Sequence, residues 1–163
     1  MTDILTKIAD LEEKAFAPGE ILIPEGGQGG DLFFLIEGKV AIDKGDVRMF
    51  TVGKPGSVFG EMASLLDRPY SATVSAVTDV RAFYSPDGPD LLANRPDIAL
   101  HTARILSRRL FAATSYLADL KSQFSDHENH FGMMDRILEA LLLRQDHGTE
   151  EPAKVSQASD PRL

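Results

Sequence analysis

The chain has 163 residues, of which 43% are hydrophobic, so it is long enough to bury a core without metals or disulfides. It contains no cysteine, which excludes disulfide frameworks, thiolate zinc sites and cysteine nucleophiles. Its formal net charge of −8 is opposite to the balance typical of proteins that bind nucleic acid or anionic lipid. No apolar run approaches the roughly 20 residues of a membrane span, and no signal-peptide pattern opens the chain, so a cytoplasmic protein is expected.

The first half of the chain is predicted to be rich in strands after one short helix. Apolar residues at positions 4, 5, 8 and 11 form one stripe, which predicts a helix over Asp3–Lys14. Short apolar segments follow, separated by turns that contain glycine, proline or aspartate. They are Glu20–Pro24, Asp31–Glu37, Lys39–Asp43, Val47–Val52, Ser57–Phe59, Ala72–Val77 and Val80–Tyr84. Short strands at close spacing, without alternating helices, predict a mainly β fold of the jelly-roll or small-barrel type.

The second half of the chain, from about Asp87 to Leu143, is predicted to be helical. A long helix over Pro96–Phe124 carries a narrow apolar seam, whose members recur at steps of four and three. The members of this seam are Ala99, Ala103, Leu106, Leu110, Ala113, Leu117, Leu120 and Phe124. A second apolar set on the same helix, suited to packing on the β half, consists of Ile98, Thr102, Ile105 and Ala112. Two apolar faces favour a homodimer through residues 96–124, and burial within one domain is the alternative.

The end of the chain is predicted to contain one more helix and a tail. A polar break over residues 125–129 precedes a helix around Phe131–Arg144. Residues 148–163 hold almost no bulky side chains, which predicts a disordered tail. The expected organisation is a domain over residues 1–124, an additional helix within 125–147 and a tail over 148–163. Since no segment remains for a recognition helix, direct DNA binding is not expected.

The segment Phe59–Val74 carries the residues suited to binding a ligand. A strand is predicted to end at Phe59, and Gly60 to turn the backbone into a short helix over Glu61–Leu66. The first amides of a helix have no internal partners, so this turn is predicted to face an anion. Glu61 is suited to accepting hydrogen bonds from ligand hydroxyls, and Ser71 supplies a hydroxyl close to the same pocket.

This segment, with the sequence FGEMASLLDRPYSATV, resembles the phosphate-binding cassette of the cyclic nucleotide-binding domain family. Earlier motifs agree in order, with FxPGE at residues 16–20, EG at 25–26 and GDxFFxIxxGxV at 30–40. The resemblance covers about Phe16 to Leu120. It implies a β-roll followed by C-terminal helices, one of them a long dimerisation helix. It also implies cAMP or cGMP as the ligand, with no other cofactor.

The resemblance further implies which residues contact the nucleotide. Glu61 would bind the ribose hydroxyl, and Thr114 on the long helix is the best candidate for reaching the base. The full set of candidate ligand-binding residues is Phe59, Gly60, Glu61, Met62, Ala63, Arg68, Tyr70, Ser71, Ala72 and Thr114. As in the family, ligand entry would move the long helix and so alter an effector protein, which the sequence does not identify.

Tyr70 is the main departure, because it stands where the family usually has a phosphate-binding arginine. An arginine offers a permanently charged fork, whereas tyrosine offers one neutral hydroxyl. A hydrogen bond to a charged group contributes about 1.5–3 kcal/mol, so binding is expected to weaken by about one to two powers of ten. Three interpretations stay open. In the first, Arg68 supplies the charge. In the second, the helix amides with Ser71 and Tyr70 hold the nucleotide without an arginine. In the third, the pocket is degenerate and the domain is a dimeric interaction module.

The sequence does not favour catalysis or metal binding. It shows no Ser/His/Asp arrangement, paired carboxylates or Walker-type loop, so an enzyme is not expected. His127 and His130 lie three residues apart, but no third ligand stands at a defined spacing, so a metal site is not expected. The predicted function is therefore a non-catalytic regulatory sensor.

Overall fold

The strands and helices occur in the predicted order, with one additional strand near the beginning. A computed structural model describes residues 3–123 and 128–143 of the chain. The helices are α1 (Ile4–Lys7), α2 (Glu61–Leu66), α3 (Gly88–Asn94), α4 (Pro96–Gln123) and α5 (Glu128–Leu143). The strands are β1 (Glu12–Phe16), β2 (Ile21–Ile23), β3 (Leu32–Glu37), β4 (Val40–Lys44), β5 (Val47–Val52), β6 (Val58–Phe59), β7 (Thr73–Ala76) and β8 (Val80–Ser85).

The strands form two four-stranded antiparallel sheets, in the orders β1-β8-β3-β6 and β2-β7-β4-β5. Both sheets contribute to one apolar core, which includes Phe33 and Leu35 from the first and Val40 and Val74 from the second. Apart from the hairpin β4–β5, each strand lies in the other sheet from the strand before it, which gives the jelly-roll β-roll that the strand spacing predicts. The fold prediction is confirmed.

The predicted helix over Asp3–Lys14 is wrong in its second half. Helix α1 ends at Lys7, and β1 pairs instead with β8 in a register from Glu12 opposite Tyr84 to Phe16 opposite Val80. The residues of β1 have no alternating apolar pattern, so sequence alone favours a helix. Pairing with β8 overrides that preference because it satisfies the backbone hydrogen bonds in a sheet and packs Phe16 against the core.

A second apolar cluster lies where α1, α3 and the start of α4 pack on the β-roll. Ile8, Leu32 and Phe34 are buried in it together with Ile98 of α4. Thr102, one turn further along α4, is also buried. This confirms that part of the second apolar set faces the β half, whereas Ala112 is exposed.

The chain divides into two units, Met1–Leu110 and Phe111–Leu163. In the second unit, Lys121 of α4 forms an ion pair with Asp135 of α5. The predicted tail, residues 148–163, lies outside the described residues, and the predicted domain boundary at residue 124 stays a prediction. Within residues 3–123 and 128–143, no helix combines the length and apolar character that crossing a membrane requires.

The hydroxyl of Thr102 provides a test of how α4 packs on the β-roll. Among the described residues, its Oγ1 is a buried polar atom without a hydrogen-bond partner, and the residue is 1% exposed. Replacing it in Thr102→Val removes that unpaired group and keeps the volume, so the free energy of unfolding should rise by about 1 kcal/mol. Urea denaturation measures the change. Thr102→Ser, which keeps the hydroxyl and loses the methyl group, should instead lower the free energy of unfolding. A Thr102→Val variant that is less stable than the wild type would contradict the packing described.

Candidate functional site

The turn between β6 and α2 has the geometry that the sequence predicts. Strand β6 ends at Phe59, and Gly60 adopts a φ of 88°, a conformation that residues with a side chain rarely take. A Cβ atom at Gly60 would also collide with the carbonyl oxygen of Asp31. Helix α2 begins at Glu61 and ends at Leu66, as predicted. Glycine is therefore required here both by the backbone angle and by the closeness of the neighbouring loop.

A cavity of about 100 Å³ lies beside this turn. Its walls come from β2, β4, β6, α2, β7 and the loop before β7, and from one residue of α4. It is lined by Ile23, Ile42, Phe59, Gly60, Glu61, Met62, Ala63, Tyr70, Ser71, Ala72, Val74 and Arg109. Eight of the ten candidate residues thus surround one cavity, and their contacts with a ligand stay a prediction.

The carboxylate of Glu61 is buried in this cavity and paired with an arginine of α4. Glu61 is 3% exposed, and its Oε1 accepts a hydrogen bond from Nη1 of Arg109 at 2.5 Å. Nη2 of the same arginine donates to the carbonyl oxygen of Val58 at 3.1 Å. One guanidinium therefore ties α4 to both β6 and α2. Arg109 is not among the residues predicted from the sequence, because the need for a cation beside Glu61 follows only from the burial of this carboxylate.

Burial raises the pKa of Glu61 above its ordinary value, and the positive charge of Arg109 opposes this effect only in part. The desolvation of a carboxylate favours its neutral form, whereas a nearby guanidinium favours the charged form. The charged Glu61 is thus held in an unfavourable environment that its partner only partly compensates. A polar ligand that donates hydrogen bonds to this carboxylate would add to that compensation.

Tyr70 is part of the core rather than an exposed loop residue. It is 6% exposed, and its hydroxyl accepts a hydrogen bond from the backbone N–H of Asp31 at 2.9 Å. The hydroxyl of Tyr84 donates to Oδ1 of the same aspartate at 3.2 Å. Burial also raises the pKa of Tyr70 above its ordinary value, so the phenol is neutral at physiological pH. Tyr70 therefore brings no charge to the cavity, and its hydroxyl already has a partner.

The backbone of Tyr70 is fixed to the same loop as its side chain. Its N–H donates to the carbonyl of Gly27 at 3.0 Å, and its carbonyl accepts from the N–H of Gly26 at 2.8 Å. Together with the hydroxyl bond to Asp31, these contacts join the loop between β2 and β3 to the loop between α2 and β7. Tyr70, which lines the cavity, is therefore fixed against the loop between β2 and β3 by both its backbone and its side chain.

The remaining candidate residues occupy different environments. Arg68 is exposed on the loop between α2 and β7. Thr114 belongs to the second unit, where its hydroxyl donates to the carbonyl of Phe111 at 3.0 Å. His127 lies outside the described residues, and within the described part no group of three His, Asp or Glu side chains is arranged to hold a metal. The roles of Arg68 and Thr114 stay predictions.

Comparison with known proteins places these features in a family. Residues 13–88 match the family model of the cyclic nucleotide-binding domain. The chain is 34% identical to the CRP-like cAMP-activated global transcriptional regulator of Mycobacterium tuberculosis, in an alignment that covers 96% of this chain and 68% of the regulator.

Solved structures show the same similarity. The catabolite activator protein of Thermus thermophilus is 26% identical with a TM-score of 0.61, covering 72% of this chain and 58% of that one. PKAR CBD2 with bound Sp-2Cl-cAMPS is 32% identical with a TM-score of 0.55, covering 70% of this chain and 75% of the other. The residues that match the family model, 13–88, include strands β2 to β8 and the segment Phe59–Val74.

The raised pKa of Glu61 predicts a particular dependence of stability on pH. The folded protein holds the proton of Glu61 more tightly than the unfolded protein does, because burial raises this pKa above its ordinary value of 4.5. The stability contributed by this group is therefore complete below pH 4.5 and is lost as the pH rises through the raised pKa. The free energy of unfolding of the wild type minus that of Glu61→Gln should fall from about pH 4 to pH 7 in urea denaturation. A difference that stays level or rises would contradict the burial of this carboxylate.

Proposed function

Since the chain belongs to the cyclic nucleotide-binding domain family, we propose that it is a non-catalytic sensor of a cyclic nucleoside monophosphate. The regulator from Mycobacterium tuberculosis is cAMP-activated, and a cAMP analogue is bound in the PKAR structure. Both support cAMP as the first ligand to test, with cGMP as the second. The observation that carries the proposal is the buried carboxylate of Glu61, which lines the cavity at the family's cassette.

The ribose hydroxyl of the nucleotide would donate to Glu61. This bond adds to the partial compensation that Arg109 gives the buried charge, so ligand binding and the position of Arg109 are coupled. Because Arg109 lies on α4, occupancy of the cavity would be transmitted to that helix. An effector protein that contacts α4 would then respond to the ligand.

The phosphate would lie against the backbone amides of the cassette and the hydroxyl of Ser71. Tyr70 contributes no charge to this arrangement, since its hydroxyl binds the backbone of Asp31. The affinity is therefore lower than that of a domain with arginine at this position, by about one to two powers of ten. Arg68, exposed on the same loop, is the alternative cation that the sequence suggests.

A second candidate function is a dimeric interaction module that binds no nucleotide. The small cavity favours it, since about 100 Å³ is less than the roughly 300–1,000 Å³ of typical small-molecule sites. The buried ring of Tyr70 also occupies space beside the cassette. In this alternative the β-roll is only a scaffold that presents α4.

Dimerisation through α4 is part of both candidate functions. Ala103, Leu110 and Ala113 of the predicted seam are exposed, as expected of residues that a second copy of the chain would cover. The alanines in the seam let two helices approach closely. The net charge of −8 favours a protein partner over nucleic acid.

Calorimetric titration with cAMP and cGMP tests the sensor function. The wild type should bind at least one of them, and Glu61→Gln should bind it at least about tenfold more weakly, because the charged acceptor for the ribose hydroxyl is lost. The pH series above also measures the stability of this variant, so weaker binding can be separated from unfolding. No heat from either nucleotide at millimolar concentration would favour the interaction module.

The dimer interface is tested by a charge placed in the seam. Leu110→Glu puts a carboxylate between the two copies of α4, so light scattering should report a monomer where the wild type is a dimer. Arg108→Glu introduces the same side chain on another face of α4 and should leave the dimer intact. A dimer that persists in Leu110→Glu, or a monomeric wild type, would contradict this interface.

A further inference from the structure

The phosphate of a cyclic nucleotide carries a negative charge that the cavity's own side chains leave uncompensated. Tyr70 is neutral, and its hydroxyl is bound to Asp31. The guanidinium of Arg109 is paired with Glu61, so these two charges cancel. Removing a charged group from water without a partner is costly, so a bound phosphate needs another cation close to the cassette.

Lys44, at the end of β4, places an ammonium group beside the cassette from outside it. Its Nζ donates to the carbonyl oxygen of Ser71 at 2.8 Å. Ser71 lines the cavity and lies next to Tyr70 in the chain. The ammonium group of Lys44 thus contacts Ser71, the neighbour of Tyr70, although Lys44 and Ser71 are 27 residues apart in the sequence.

The backbone around Lys44 is fixed in this position by Glu25. Oε2 of Glu25 accepts a hydrogen bond from the N–H of Gly45 at 2.8 Å, and the N–H of Glu25 donates to Oγ1 of Thr73 at 3.0 Å. Thr73 lies within the cassette and begins β7. The turn between β4 and β5 is therefore connected to the cassette through Glu25 as well as through the lysine itself.

The lysine side chain itself is free to change partners. It is 61% exposed, and its ion pair with Oε1 of Glu25 spans 3.7 Å. An exposed pair of this kind contributes little stability, and the flexible lysine stem can turn its ammonium group towards another acceptor. A phosphate in the cavity is a stronger acceptor than the neutral carbonyl of Ser71.

We propose that Lys44 supplies the cation for the phosphate that Tyr70 does not supply, moving from the carbonyl of Ser71 to the ligand. This rests on the proposed binding of a cyclic nucleotide. Arg68 is the competing cation, but within the described part of the chain no comparable contact joins its side chain to the cavity lining. The hairpin between β4 and β5 is thereby a part of the binding site that the cassette motif does not include.

The test compares Lys44→Met with the wild type in titrations with cAMP and with adenosine, which has the same base and ribose but no phosphate. Lys44→Met should weaken cAMP binding about tenfold, and adenosine binding by less than about twofold. Lys44→Arg should retain most of the cAMP affinity. Lys54→Met removes an exposed lysine from the loop between β5 and β6 and should change neither affinity.

The other outcomes of these titrations overturn either the role of Lys44 or the proposed function. Unchanged cAMP binding in Lys44→Met, with a wild type that binds, overturns the role of Lys44 and leaves the proposed function standing. An equal loss for cAMP and adenosine shows that Lys44 only positions the loop at Ser71, and also overturns it. A loss in Arg68→Ala alone assigns the phosphate to Arg68. A wild type that binds no cyclic nucleotide overturns the proposed function, and the role of Lys44 with it.

Discussion

The ion pair between the buried carboxylate of Glu61 and the guanidinium of Arg109 is the interaction on which the site depends. Glu61 can remain inside the β-roll because α4 brings a guanidinium to it, and Arg109 is held because Glu61 and the carbonyl of Val58 accept its hydrogen bonds. Removing Arg109 is costly because it leaves the carboxylate of Glu61 buried and unpaired, whereas the guanidinium of Arg109 is partly exposed to water. Cassette and helix are therefore constrained to each other, and a ligand at Glu61 acts on both.

Much of the fold could be predicted from the sequence, since turns and apolar spacing are local properties. Helix α2 begins and ends where the sequence predicts, because Gly60 and the apolar residues after it define a turn followed by one or two helical turns. Strand β1 could not be predicted, since Glu12–Phe16 becomes a strand only through its pairing with β8, almost 70 residues away. The sequence also does not show that Thr102 would be buried without a hydrogen-bond partner.

The candidate site was predictable as far as its residues are contiguous in the chain. The cassette motif identifies the residues around Gly60 and Ser71 because they follow one another at fixed spacing. Arg109 and Lys44 come from α4 and β4, and only the folded chain places them beside Glu61 and Ser71. The sequence likewise identifies Tyr70 as a departure without indicating that its ring would enter the core.

The contacts of Tyr70 make an arginine difficult to accommodate at this position. The ring fills part of the core, the hydroxyl satisfies the N–H of Asp31, and the backbone holds Gly26 and Gly27. An arginine at residue 70 would bring a charged fork but would lose the packing of the ring and its hydrogen bond to Asp31, leaving the part-buried N–H of Asp31 without this partner. Residue 70 thus couples the packing of the core to the charge of the cavity: a cation can be added beside the cassette from a neighbouring element without losing the contacts that Tyr70 makes.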